Sequence, residues 1–297
     1  MTSTYPWPPP SDSSVLDRPI WTGRGFLLGD AIAPILSYGV SSSGWNDELT
    51  GFHEETAGAD HPIDRASRQY AMEQLQRYVR GEHPVILEAG CSSGFMLRLI
   101  RERFPHISVI GSDVVRGPLE QLAVTMPDIP LLQFDLAHCP LPDSSIDAVV
   151  LLNVLEHIND DAAAVRQVYR ILKPGGIAVI EVPAGPHLYD VYDKLLLHCR
   201  RYSLTALCSL MGNVSFQITE QSHLGFFAYP GFWLVKQRNR RLLSQEKALQ
   251  RRIVEQNIRD TGNSRLLSLI MRVELALGRW VSYPFGIRCL VTCIKAA

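Results

Sequence analysis

Short apolar runs and longer amphipathic segments alternate through the middle of this chain. The runs at 85–89, 108–112, 131–135, 146–153 and 177–182 are rich in Val, Ile, Leu and Ala and predict strands. The segments at 95–102, 118–125, 160–172 and 204–211 place apolar residues at helical spacing and predict helices. Strand–helix–strand alternation predicts an α/β fold, a mostly parallel sheet with helices on both faces. Apolar runs at 216–222 and 289–295 predict a sixth and a seventh strand. Before the core, Ala66, Tyr70, Met72, Leu75 and Val79 predict a helix over 64–80, with His61-Pro62 at its start and Gly81 at its stop. The stretch 229–280 is rich in Leu, Arg, Gln, Lys and Glu. Leu266, Leu267, Ile270, Met271, Val273, Leu275 and Leu277 give it helical spacing, so it predicts an insertion of two or three helices before the last strand. The chain therefore divides into a disordered Pro-, Ser- and Asp-rich tail (1–20), an N-terminal lid or helical extension (21–82), a core (83–223), and a helical insertion plus final strand (224–297).

The first core strand ends in Glu88 and breaks into Gly90-Cys91-Ser92-Ser93-Gly94 before the next helix. Glycines there let a backbone approach a ligand, and the helix start supplies unpaired N–H groups. The string fits G-x-G-x-x-G loosely, with Ser92 in the middle glycine position. Read literally it is G-x-S-x-G, a hydrolase nucleophile elbow, and Asp190 or Asp193 with His223 would complete the order Ser…Asp…His. The acids favour a nucleoside. The second strand run leads to Asp113, about 25 residues beyond Glu88, where a carboxylate suits a ribose diol, and the third ends in Asp135.

These residues resemble the class I S-adenosylmethionine-dependent methyltransferases. Glu88 to Gly94 resembles the family's first motif, with Ser92 where glycine is usual, and Gly111-Ser-Asp113 resembles its second-strand acid. Phe134-Asp135-Leu136 resembles its adenine contact, 146–158 its fourth strand and following loop, and Leu172-Lys-Pro-Gly-Gly176 the turn before its fifth strand. The resemblance covers 78–182 strongly. It implies a Rossmann-like seven-stranded sheet whose last strand runs antiparallel between the fifth and sixth. It implies S-adenosyl-L-methionine as cofactor, with Glu88, Gly90, Cys91 and Gly94 around the methionine part, Asp113 and Val114 at the ribose, Asp135 and Leu136 at the adenine, and Asn153 at the fourth-strand edge. A fainter likeness of 198–203 and 283–286 to methyltransferases of sugar pathways hints at a sugar or another biosynthetic intermediate, methylated on O, N or C. Two alternatives stay open: a non-catalytic protein that binds the cofactor, and a serine hydrolase using Ser92.

Composition narrows the setting. A net charge of −1 gives no bulk field for nucleic acid. The six cysteines (Cys91, Cys139, Cys199, Cys208, Cys289, Cys293) form no C-x-x-C pair and no zinc spacing, as suits a reducing cytosol. No signal peptide and no spanning helix are expected, so the chain reads as cytoplasmic.

Candidate chemistry outside the cofactor turn is sparser. His157 and His198 are candidate catalytic residues, because imidazole titrates near neutral pH. Arg200, Arg201 and Tyr202 suit an anionic group on a small-molecule substrate. Trp45 and His53, with Trp21 and His61, read as a lid over the acceptor, and no metal ligand set is expected. The aromatic run 224–235 and the basic run 236–241 suit either weak contact with a membrane surface or packing beneath the insertion.

Overall fold

The computed structural model describes residues 5–10, 18–39, 60–242, 247–262 and 264–296. Three short strands open the described chain: β1 (Ile20–Trp21), β2 (Phe26–Leu28) and β3 (Ala31–Ala33) form a small antiparallel sheet of their own. The next, β4 (Ile35–Ser37), joins the main sheet. Helix α1 (Pro62–Tyr78) follows, its first turn preset by Pro62. The core then runs β5 (Val85–Ala89), α2 (Phe95–Arg103), β6 (Ser108–Asp113), α3 (Arg116–Thr125), β7 (Leu131–Gln133), β8 (Ile146–Leu152), α4 (Asp161–Ile171) and β9 (Leu172–Pro183). After it come α5 (Val191–Leu195), α6 (Leu204–Gly212) and β10 (Phe216–Leu224), then three helices, α7 (Tyr229–Arg240), α8 (Lys247–Gly262) and α9 (Arg265–Gly278), and the final strand β11 (Arg288–Lys295).

The main sheet has eight strands in the order β10-β11-β9-β8-β5-β6-β7-β4. From β9 to β4 the pairings are parallel, and β11 lies antiparallel between β9 and β10. The expected α/β sheet and its antiparallel insertion are both present. The eighth strand is the correction to a seven-stranded sheet. It is only three residues long, set in a glycine-rich stretch, yet Ile35 and Leu36 are buried against β7.

Side chains alternate across each strand. Leu87, Ile110 and Val149 point to one face, covered by α4, α6 and the N-terminal segment. Ile86, Val109, Ala148 and Val150 point to the other, covered by α1, α2, α3 and part of α9. Trp7 belongs to the first face. It is 0% exposed, its ring meets Phe26 edge-on, and neighbouring Tyr5 bonds the Ser145 hydroxyl at 2.9 Å. The tail expected to be disordered over 1–20 is therefore anchored to the core at residues 5–10, because one indole supplies enough apolar area to hold it.

The sheet order turns back at β5: β6 lies on one side of it and β8 on the other. In a parallel sheet that switch point opens a crevice beyond the carboxyl ends of the strands. The Glu88 turn and the Asp113 strand end both sit there. No helix among the described residues is long and apolar enough to cross a membrane.

Candidate active site

One cavity of about 750 Å3 opens at this switch point and runs to the three inserted helices. Glu88, Gly90, Cys91, Asp113, Val114, Asp135, Leu136 and Asn153 all line its sheet end. Gly94, also expected there, instead caps α2 in the left-handed conformation at φ 74°, and a Cβ on it would meet a Leu122 methyl at 2.6 Å. Its work is to let α3 pack closely beneath the turn. Ser92 takes φ 44°, the left-handed backbone that a glycine in its place would adopt without cost. The departure from the family pattern thus alters one side chain and leaves the turn's path intact.

The acids are set by different means. Asp113 accepts the Ser92 and Val115 backbone N–H groups, both at 2.9 Å, which ties the glycine turn to the tip of β6. Asp135 caps the short 3-10 turn after β7, accepting Ala137 N–H at 2.9 Å. Asn153 donates to Glu181 at 3.1 Å across β8 and β9. Glu88 is different. Its Oε2 is buried without a partner, and burial, strengthened by Asp113 and opposed by Arg68, pushes its carboxyl well above the usual range. A buried carboxyl with one unpartnered oxygen, beside a turn that admits close backbone approach, fits the ammonium end of an adenosylmethionine, so the residues present suit the implied cofactor.

Beyond this end the cavity meets Glu156, His157 and His198. Glu156 and His157 form the 3-10 turn Leu155–His157 after β8, and His198 follows α5. The rings of His157 and His198 lie edge to face with centroids 4.8 Å apart. His198 Nδ1 is 2.8 Å from Asp193 Oδ1; an ionised carboxylate can only accept, so Nδ1 carries the proton and Nε2 is the acceptor. Asp193 also takes Arg201 Nη1 at 2.8 Å and Lys236 Nζ at 3.0 Å, while Lys236 reaches Asp190 at 2.7 Å. Burial opposes the charge on Asp193, but the His198 hydrogen bond with the Lys236 and Arg201 charges overcomes it and holds this carboxyl well below its usual value. Burial, aided by Arg201 and Lys236 against the pull of Asp193, lowers His198 and favours its neutral ring. Burial pushes the Glu156 carboxyl up to about 8.

The substrate residues expected from the sequence fare unevenly. Arg201 lines the cavity, but its donors are engaged by Asp193, Ala184 O and Ile287 O. Arg200 and Tyr202 lie outside it: both bind Asp161 at the start of α4, Tyr202 at 2.6 Å and Arg200 at 2.5 Å. That cluster braces the loop behind the site instead of holding an anion. Trp45 and His53 lie outside the described residues; His61 lines the cavity and Trp21 packs in the core. The elbow reading fails on placement, since His223 lies outside the cavity that Ser92 lines and bonds Tyr283 O at 2.9 Å. Lys236, counted in the basic run, is buried on Asp190 and Asp193 and is closed to any membrane. Glu156 and Lys236 were not expected as site residues, and Asp193 was expected only as an acid of the hydrolase alternative. The pairing of Asp190 and Asp193 in one capping box was the readable signal.

A family profile described as "Methyltransferase domain" matches residues 87–180. A protein of Mycolicibacterium smegmatis, described as a probable S-adenosylmethionine-dependent methyltransferase, is 31% identical over 144 residues, 48% of this chain and 54% of its own. The chain thus spans about half the length of that relative. YdaC of Bacillus subtilis, described as an uncharacterized methyltransferase, is 33% identical over 136 residues, 43% of this chain and 74% of its own. Among solved structures, phosphoethanolamine N-methyltransferase 2 of Haemonchus contortus superposes with a TM-score of 0.51 at 18% identity, over 84% of this chain and 60% of its own, and supports the fold. With YdaC 33% identical and matched over 74% of its length, and the profile on the core strands, this chain belongs to the class I S-adenosylmethionine-dependent methyltransferases.

Proposed function

We propose that the chain methylates a small amphiphilic molecule, seating a polar head at Glu156, His157 and His198 and an apolar body along α7, α8 and α9. The observation that carries this is the continuity of the cavity from the sheet to the inserted helices. Its sheet end has the acids and the Gly90 turn of a cofactor corner, and its far end is walled by Phe227, Phe232, Val254, Ile258, Leu267 and Ile270. An apolar wall of that extent favours a ligand with a hydrocarbon or ring body.

When bound, S-adenosylmethionine supplies an electrophilic methyl group on a sulfonium. Glu88, Gly90 and Cys91 hold its methionine end, Asp113 and Val114 the ribose, Asp135 and Leu136 the adenine, and Asn153 stands at the boundary with the acceptor. Asp193 acts as a positioning residue that fixes the His198 ring. His157 and His198 face the acceptor's nucleophile and orient it. Much of the acceleration then comes from alignment, since two partners held in one cavity no longer need to collide.

Phe227, Val235 and Leu266 line the cavity and are 46%, 40% and 68% exposed, so they form an apolar mouth through which such an acceptor enters. Weak contact of this rim with a membrane surface belongs to the same proposal.

The test is product-led. Purified protein, methyl-labelled S-adenosylmethionine and a fractionated cell extract are incubated, and the labelled product is partitioned between water and an organic solvent. The proposal expects label in an organic-soluble small molecule, with His157→Ala slowing its formation while cofactor affinity stays near normal. Label confined to water-soluble or macromolecular products contradicts it.

A further inference from the structure

Glu156 is the anomaly of this cavity. It is 0% exposed, and neither carboxylate oxygen accepts a hydrogen bond. A buried carboxyl group with no donor is unfavourable, and a bound cation would relieve it. Two imidazoles face the same space. One ligand atom from each of Glu156, His157 and His198 can be chosen so that all three lie within 4.8 Å of one another. We propose that these three side chains bind a divalent transition-metal ion of the zinc, iron(II) or manganese class.

The surroundings of His198 support this independently of the orphaned carboxylate. Metal-bound histidines donate their second ring N–H to a carboxylate, a backbone carbonyl or water, which fixes the ring and raises its basicity. His198 Nδ1 makes that bond to Asp193 at 2.8 Å. Asp193 is itself pinned by Arg201 and Lys236, so Nε2 is presented to the cavity on a rigid support. The donor set selects the metal class. Two nitrogens and one oxygen suit zinc and its neighbours, whereas calcium and magnesium prefer oxygen alone. Three protein ligands leave coordination positions open, as ion-dependent sites require.

The role of the ion rests on the methyl-transfer reading, but its binding does not. An acceptor hydroxyl bound in an open position would ionise more readily: the O–H bond breaks, the oxygen becomes the metal ligand, and the proton leaves to water in the open cavity.

Cobalt(II) alone is the probe, titrated into protein stripped with a chelator while visible absorption is recorded. The proposal expects d–d bands that saturate near about one cobalt per chain and are abolished by zinc. It expects apparent affinity to fall at least about tenfold in Glu156→Gln and in His198→Gln, as for loss of a ligand or its support. His157→Asn serves if His198→Gln does not fold, as judged by far-UV circular dichroism. S-adenosylmethionine binding, measured by calorimetry on the same variants, should stay near the parent value, so a failed metal site and a failed cofactor site give different results. Folded parent protein without such bands, or bands unchanged by the substitutions, overturns the proposal.

Discussion

Glu88 is the side chain through which the proposed site would couple stability to the cofactor. Its carboxyl is raised by burial in the cofactor-free chain. A carboxyl whose folded value lies above its unfolded value weakens the fold as pH rises from the unfolded value toward the folded one, and the full penalty is present above both. Glu88→Gln should therefore raise the melting temperature of the cofactor-free protein at pH 8 and change it little at pH 4. The same substitution should lower affinity for S-adenosylmethionine at least about tenfold, an interaction of about 1.4 kcal/mol. Scanning calorimetry at both pH values, with and without cofactor, reads both effects. A Glu88→Gln protein that melts lower at pH 8 without cofactor would show that the buried carboxylate is satisfied after all. Ser92 is the contrasting residue: it departs from the family pattern, yet its positive φ keeps the turn, so side-chain identity there says less than backbone path.

Elements were legible in the sequence to different degrees, for physical reasons. The core strands β5, β6, β8 and β9 are nearly continuous apolar runs because both faces of a parallel sheet are covered, and such runs read plainly. Strand β4 did not read, because three residues in an irregular stretch carry no period, and its strand character comes from the β7 edge. Trp7 did not read either, since a proline-rich composition outweighs a single anchor until its partner Phe26 is known. Within the site, the glycine turn and the strand-end acids were legible through spacing. Arg200, Arg201 and Tyr202 looked like an anion site because sequence shows donors without the Asp161 and Asp193 that consume them. Helix α7 gives the sharpest case. Its Lys236 reads as part of a solvated basic run, yet it crosses to the capping box of α5. Lys236→Ala should cost about 3–5 kcal/mol of unfolding free energy by stranding buried carboxylates, whereas exposed Arg238→Ala should cost less than about 0.5 kcal/mol. Denaturant titration of both variants checks this, and equal small losses would return Lys236 to the surface.

At the scale of the whole molecule, a Rossmann-like sheet lines one end of the cavity and the late helices line the other, the end proposed for the acceptor. The exposed residues Leu266, Leu269, Val273, Leu277 and Trp280 recur along α9 and just past it at helical spacing, and Arg265 and Arg272 share that helix. Trp280 is 88% exposed. If this rim meets a bilayer, flotation should recover more protein with anionic than with neutral vesicles, and Leu269→Glu with Trp280→Glu should abolish the difference without changing cofactor affinity. Equal recovery with both vesicle types would remove lipid from the account and leave the cavity for a freely dissolved acceptor.

Methyl transfer by this chain requires the strand-end acids and the glycine turn to form one adenosyl pocket. Isothermal titration of the purified protein with S-adenosylmethionine tests this most directly. The account predicts saturable binding of about one cofactor per chain with micromolar affinity, weakened at least about tenfold by Asp113→Ala while the fold persists. Absence of binding heat, together with no thermal protection at millimolar S-adenosylmethionine, would contradict it.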